Sequence, residues 1–186
     1  YGDDMVVWTR QPVAESRIEE AELVFAGYGI VAPEYGWNDY AGLDMRGKIA
    51  VVLVNDPGFA TQDPKLFSGN AMTYYGRWTY KYEEALRQGA AGLFVVHETR
   101  PAGYPWEVVR NGSASQIDLR IDDYAAQRLA LEGWMTQEAA QRVLALAGED
   151  YEQLKQAASD RKFRPRPLGV KASVGVRNEV KFSTTY

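Results

Sequence analysis

The sequence contains no cysteine and one histidine, His97. Without cysteine, the chain has no disulfides, thiolate metal ligands or cysteine nucleophiles. A catalytic zinc ion normally takes three protein ligands, and the residues after His97-Glu98 do not complete a His-Glu-x-x-His motif. We therefore expect no metal or cofactor in this chain. A site built from one histidine and carboxylates stays open, but the position of His97 after an apolar segment favours a hydrogen-bonded structural role.

Long apolar runs and clustered basic residues are also missing. The longest apolar run covers residues 49–54, whereas a membrane-spanning helix needs about 20 apolar residues. The 21 lysine and arginine residues are spread along the chain, and the net charge is -4. Binding to nucleic acid requires a concentrated basic surface. The sequence therefore predicts neither a membrane span nor a nucleic-acid partner.

Motifs for nucleophilic catalysis and nucleotide binding are absent as well. Because no Gly-x-Ser-x-Gly sequence is present, a serine hydrolase would have to use His97 as its base without the usual nucleophile turn. Gly27-Tyr28-Gly29 lacks the third glycine of a dinucleotide-binding fingerprint. A catalytic carboxylate pair stays open, since spatial pairing is not visible in a sequence.

The first half of the sequence contains strand and helix patterns. Residues 22–30 are rich in β-formers, and the glycines within them indicate a bulge or a close backbone approach. Residues 48–54 and 91–96 are typical of buried strands, and residues 80–88 of a helix that Gly89 ends. Together they predict a strand–helix–strand unit with parallel strands in a mixed α/β domain.

The last third of the sequence predicts two helices and a strand. Thr136 can cap a helix to about residue 147, and Asp150 can cap a second helix through residue 158. Apolar and small or polar residues then alternate over residues 168–176, which indicates a half-buried strand. The same parity at Val180, Phe182 and Thr184 predicts that this strand resumes after a break.

Two long connections remain, at residues 55–79 and 98–116. We expect the second to be irregular. The first is long enough to suggest a functional loop, unless it contains secondary structure of its own. Aromatic residues are concentrated at its end, interleaved with Arg77 and Lys81. Tyrosine, tryptophan and arginine dominate interface hot spots, although such rings also serve to pack a loop onto a core. The residues predicted to bind a substrate or partner are Tyr74, Tyr75, Arg77 and Trp78, with Tyr104 and Trp106 behind them.

Ordered motifs resemble the protease-associated domain of M28-family zinc aminopeptidases. The segment ELVFAGYGI at residues 22–30 is similar to the opening of that domain, and residues 42–57 match its GxDxxGKxxxxLxxDP core. Residues 75–92 are similar to its tyrosine-rich YGR and YKYE segment with the following GAAG. The matches keep the family's order as far as residue 180.

The resemblance implies a swivelling β/β/α fold, a small β-barrel or sandwich flanked by helices. It also implies three segments, with residues 1–21 as an N-terminal extension, 22–180 as the protease-associated domain and 181–186 as the start of a link to a catalytic domain. That catalytic domain, in the same chain, would carry the zinc. Secretion or export to the periplasm is expected on the same ground.

Three hypotheses about function follow. The first is a non-catalytic module that binds peptide or protein substrates or modulates their access to the neighbouring peptidase site. The second is a purely structural or dimerisation domain. The third, from another class, is an independent small hydrolase that uses His97.

Overall fold

The computed structural model describes residues 1–113 and 115–183 and shows a mixed α/β architecture. The strands are β1 (Met5–Trp8), β2 (Glu15–Phe25), β3 (Val31–Ala32), β4 (Trp37–Asn38), β5 (Ile49–Leu53), β6 (Gly92–His97), β7 (Leu131–Thr136) and β8 (Arg166–Arg177). The α-helices are α1 (Pro57–Thr61), α2 (Trp78–Arg87), α3 (Thr99–Ala102), α4 (Trp106–Gly112), α5 (Tyr124–Gln127), α6 (Gln137–Leu146) and α7 (Tyr151–Ala158). Short 3₁₀ turns occupy Pro33–Tyr35 and Tyr74–Gly76.

Six strands form one sheet in the order β1-β7-β6-β5-β2-β8, and β3 pairs separately with β4. Strands β7, β6, β5 and β2 are parallel, while β1 and β8 are antiparallel to their neighbours. The parallel pairing of β5 with β6 on either side of α2 confirms the predicted strand–helix–strand unit. Within the described residues, β1 and β8 each pair with a single strand, so the sheet is open rather than closed into a barrel.

The sheet is covered on both faces. Successive residues of a strand point to opposite sides, and in β5 Val51 and Leu53 join one core while Ala50 and Val52 join the other. Helices α6 and α7 contribute to the first core, and α2 contributes mainly to the second. Burial on both faces explains why β5 is apolar at every position.

The strand expected over residues 22–30 differs from the observed β2. Strand β2 begins earlier than expected, at Glu15, and ends at Phe25, where the chain turns. Gly27 and Gly29 have φ values of 54° and 66°, which β-branched or bulky residues rarely adopt. The expected close approach is present, since a Cβ on Gly29 would lie 2.8 Å from Val52 Cγ1.

Two further expectations were wrong. The connection over residues 98–116 is not irregular, because it contains α3 and α4. Gly103, in a left-handed conformation, lies between the two helices. The last strand ends at Arg177, and residues 178–183 form no strand; Thr184 lies outside the described residues. The capped helices α6 and α7 agree with the prediction, with Thr136 and Asp150 as N-cap residues.

Strands β1 and β7 were not predicted. Glu132 and Gly133 interrupt the apolar pattern of β7, and the buried Glu132 carboxylate accepts hydrogen bonds from Arg10 and from Trp8 Nε1. Residues 5–8 and 15–21, assigned to an N-terminal extension, lie in the main sheet. The division into an extension, a domain and a link stays a prediction. In the described part of the chain, no helix has the length and apolar character that a bilayer crossing requires.

A first prediction concerns the packing between the paired strands β1 and β7. A Cβ on Gly133 would lie 2.7 Å from the Val6 carbonyl oxygen and would also overlap the Phe94 ring. We expect Gly133→Ala to lower the free energy of unfolding by about 1–3 kcal/mol, the usual cost of overpacking. Urea denaturation measures this.

The matched control is Gly112→Ala at the end of α4, where a Cβ meets no atom within 4 Å. Alanine in place of helical glycine should leave stability unchanged or raise it by about 0.5–1 kcal/mol. Equal losses in the two variants would contradict the packing described for Gly133.

Candidate functional site

The connection between β5 and α2, residues 55–79, is called here the aromatic loop. It is not structureless, because it contains α1 and the 3₁₀ turn Tyr74–Gly76 and runs into the first turn of α2. Two kinds of residue are found in it: buried groups that fix the backbone, and side chains that remain exposed.

Asp56 fixes both ends of the aromatic loop. Its side chain is fully buried and accepts a hydrogen bond from Gly58 N at 3.1 Å, which caps α1. The same carboxylate accepts hydrogen bonds from Thr73 N at 3.0 Å and from Thr73 Oγ1 at 2.7 Å. One carboxylate therefore ties the start of the loop to residues close to its end.

Phe67 fixes the middle of the loop. Its fully buried ring stacks on Tyr35 with centroids 4.3 Å apart and packs edge-on against Trp37 and Tyr75. Phe67 and Ser68 have φ values of 48° and 60°, and such strained conformations persist only where the surroundings hold them. The aromatic contacts supply that restraint.

Lys81 joins the loop to the rest of the domain. Its side chain has no exposed surface, and its ammonium group donates to the carbonyl of Tyr28 at 2.6 Å and to that of Tyr75 at 3.3 Å. The buried Asp39 carboxylate lies in the same turn region and accepts hydrogen bonds from the backbone N–H groups of Tyr28 and Ile30. Buried charges of this kind are stable only when they are paired and hydrogen-bonded.

Burial shifts the pKa values of this pair in opposite directions. It lowers the pKa of Lys81 to about 7, and the negative charges of Asp39 and Asp56 oppose this shift. It raises the pKa of Asp39 to about 7, against the effect of the N–H groups of Ile30 and Trp37 and of the Lys81 charge. Each charged form thus depends on its partner. Asp39, Asp56 and Lys81 together are called the buried charge cluster.

Of the predicted binding residues on the loop, Tyr75 is chiefly a packing residue. Its ring lies between Phe67 and Tyr80, with centroids 5.7 and 5.0 Å away. Its hydroxyl donates to Glu34 Oε1 at 2.5 Å. This hydrogen bond raises the pKa of Tyr75 to about 12 and lowers the pKa of Glu34. Tyr75 therefore fastens the loop to the 3₁₀ turn Pro33–Tyr35.

The exposed side chains near the end of the loop, Tyr74, Arg77 and Trp78, are called the outer aromatic surface. Tyr74 is 56% exposed and Trp78 is 39% exposed. Arg77, which lies between them in the sequence, is also exposed. The Tyr74 hydroxyl donates to Glu83 on α2 at 2.9 Å, and the Trp78 ring packs edge-on against Tyr82. The Tyr74 ring also packs edge-on against Tyr75 and Tyr80, so both rings are held in place without being buried.

Tyr104 and Trp106 lie in a different cluster. Their rings pack against His97 with centroids 5.8 and 5.6 Å away, and Trp106 Nε1 donates to the Gly2 carbonyl. Among the described residues, neither ring contacts Tyr74, Tyr75 or Trp78. The structure therefore does not gather the six predicted residues into one site.

His97 ends β6 and is buried. Its Nε2 atom donates to the Tyr104 carbonyl at 3.0 Å, and burial lowers its pKa. These contacts agree with the structural role expected from the sequence. In residues 1–113 and 115–183, no three His, Asp or Glu side chains form a group that fits a metal ion.

The buried charge cluster was missed at the sequence level. A signal was present, because Asp39 follows Trp37 closely and Lys81 stands between Tyr80 and Tyr82. Charged residues flanked by large rings are candidates for burial. Their pairing across the chain is not visible in a single sequence.

Comparisons with known proteins found little. No protein-family model matches the chain, and no curated protein matches it. Among solved structures, the aminopeptidase from Aneurinibacillus sp. strain AM-1 matches with a TM-score of 0.35 and 18% sequence identity. The match covers 78% of this chain and 31% of the other, so this chain corresponds to about a third of that protein. At these values the match carries no argument about fold or function.

A second prediction tests the buried charge cluster. Lys81→Met keeps the apolar stem but removes the charge, which leaves two buried carboxylates without their cation. It also leaves the carbonyls of Tyr28 and Tyr75 without their donor, and an unsatisfied buried polar group costs about 1–3 kcal/mol. We expect a loss of that size in the free energy of unfolding, measured by urea denaturation.

The control is the same substitution at the exposed Lys65 in the aromatic loop, where a change within about 0.5 kcal/mol is expected. Asp39→Asn combined with Lys81→Met should cost less than the sum of the two single changes, because the pair is coupled. Additive losses would show that the two charges do not interact.

Proposed function

We propose that this chain is a non-catalytic protease-associated domain of a secreted or periplasmic M28-like zinc aminopeptidase, and that it modulates substrate access or peptide binding. The ordered motifs over residues 22–180 support the family assignment. The zinc would be held by the catalytic domain of the same chain. The partners would be that domain and the peptide or protein substrate.

One observation carries the functional part of the proposal. Tyr74 and Trp78 stay exposed although the backbone around them is fixed by Asp56, Phe67 and Lys81. Rings that served only to pack the loop would be buried, as Phe67 is. Exposed rings on a pre-organised backbone lose little entropy on binding and contribute large contact areas.

The outer aromatic surface fits an apolar peptide side chain beside a polar main chain. Tyr74 and Trp78 offer ring faces, and Arg77 offers donors for carbonyl or carboxylate oxygens. Contacts away from the reacting bond favour substrates long enough to reach them. The surface would thus select by peptide length rather than by the residue at the scissile bond.

Two alternatives remain from the sequence. A purely structural or dimerisation domain would leave the outer aromatic surface without effect on kinetics. An independent hydrolase would need His97 as a base, and its Nε2 atom is occupied by the Tyr104 carbonyl. Turnover of aminoacyl reporter substrates by the isolated chain, abolished in His97→Ala, would favour the hydrolase.

A third prediction tests the proposal in the full-length peptidase. We expect Tyr74→Ala with Trp78→Ala to lower kcat/KM for long peptides about tenfold, a loss of about 1.4 kcal/mol in transition-state binding. Short aminoacyl reporters should be cleaved at the wild-type rate, since they do not reach this surface. Steady-state kinetics on both substrate classes measure the difference.

The control is Leu146→Ala, which removes an exposed apolar side chain (77% exposed) on α6, outside the aromatic loop, and should leave both rates unchanged. Unfolding midpoints of all variants verify that the fold is retained. Wild-type kinetics of the double variant on long peptides would refute a role in substrate selection.

A further inference from the structure

Strand β8 is a long strand at one end of the sheet. It covers Arg166–Arg177 and, in the part of the chain that the structure describes, pairs with β2 alone. A break in register and the left-handed Gly169 (φ 64°) bend its beginning. Residues 170–177 contain no proline, so every backbone N–H in them is a potential donor. One edge of this segment therefore presents backbone donors and acceptors that β2 does not use.

The side chains of β8 alternate in a regular way. Val170, Ala172, Val174 and Val176 are half-buried and pack against the core. The intervening positions are exposed and include the small residues Ser173 and Gly175. A strand added at this edge would meet an apolar stripe on one face and open, uncrowded positions on the other.

Surface grooves also lie along this part of the molecule. One, of about 330 Å³, runs beside the far ends of β2 and β8 and is lined by Glu15, Arg17 and residues 173–177. A second, of about 460 Å³, is lined in part by residues 19–22, Gly169 and Lys171. Both grooves are lined by residues of β2 as well as β8, so they lie over the two paired strands and not along the free edge of β8.

The charges of β8 favour one kind of occupant. Its three charged residues are Arg166, Lys171 and Arg177, all of them basic. Arg166 and Arg177 make long ion pairs of 3.6 and 3.8 Å with glutamates. Within residues 1–113 and 115–183, Lys171 has no acidic partner.

Glu22, which lies opposite Lys171 in the strand register, is instead bound to Lys48 Nζ at 2.6 Å. An acidic strand at the free edge would supply the missing charge for Lys171. A second copy of β8 would bring more positive charge to the same edge, which disfavours self-pairing.

We propose that the free edge of β8, over residues 170–177, binds an extended peptide in which apolar and acidic residues alternate. Main-chain hydrogen bonds to the edge supply affinity, the apolar residues extend the stripe from Val170 to Val176, and the acidic residues face Lys171 and Arg177. This site is separate from the outer aromatic surface and does not depend on the function proposed above.

The test uses a ten-residue peptide of alternating valine and glutamate, titrated into the ¹⁵N-labelled chain. Amide shifts and hydrogen-exchange protection confined to β8 and β2 are the expected result. Three comparison peptides are used. The first has the same residues in block order, the second has lysine in place of glutamate, and the third has N-methyl groups on the amides that would face the edge. Each should bind about tenfold more weakly or worse, through lost register, charge or main-chain hydrogen bonds.

Lys171→Glu should reverse the preference between the glutamate and lysine peptides, and Lys65→Glu, on the aromatic loop, should not. Equal binding of the alternating and block peptides would overturn the proposal, because a general charge effect would then suffice. No binding of any peptide would overturn it too. So would concentration-dependent dimerisation of the free chain that Lys171→Glu alters, since the occupant would then be a second copy.

Discussion

The buried ammonium group of Lys81 is the constraint on which the aromatic loop depends. Lys81 lies on α2, yet its two hydrogen bonds reach the turn after β2 and the turn before α2. Asp39 and Asp56 surround it with negative charge from two further segments. A single side chain thus connects a helix to the turn after a strand and to the end of a long loop. Burial of a charge is costly, so the ammonium group depends on these two hydrogen bonds and on the nearby carboxylates.

The buried Lys81 also bears on the role of the exposed rings, because it helps to fix the backbone that carries them. Tyr74 and Trp78 belong to a segment whose backbone is held by Lys81, by Asp56 through Thr73, and by Phe67 through Tyr75. Their positions are therefore defined in the absence of a ligand. A peptide that binds there pays no cost for ordering the loop, which is the physical basis of the proposed role in substrate access.

The sequence predicted the elements whose local signals agree with their packing. Residues 48–54, apolar after Lys48, and the capped helices after Thr136 and Asp150 lie where expected. Strand β7 was not predicted because Glu132 interrupts its apolar pattern. This residue is buried through its pairing with Arg10, which is far away in the chain. For the candidate site, the aromatic residues were visible, but their division into packing residues and exposed residues depends on tertiary contacts. Tyr75 and Tyr74 are neighbours with different roles, which follow from their exposure and from their partners, Glu34 and Glu83.

Hydrogen exchange of the loop amides tests the central claim most directly. The amide of Thr73 donates to the Asp56 carboxylate, and the amide of Gly76 donates to the Thr73 carbonyl. In the wild type, both amides should exchange slowly. In Lys81→Met, under conditions where the sheet stays folded, both should lose about tenfold or more of their protection while the amides of β5 and β6 keep theirs. Unchanged protection at Thr73 and Gly76 in that variant would contradict the account, because the loop would then be fixed without the buried ammonium group.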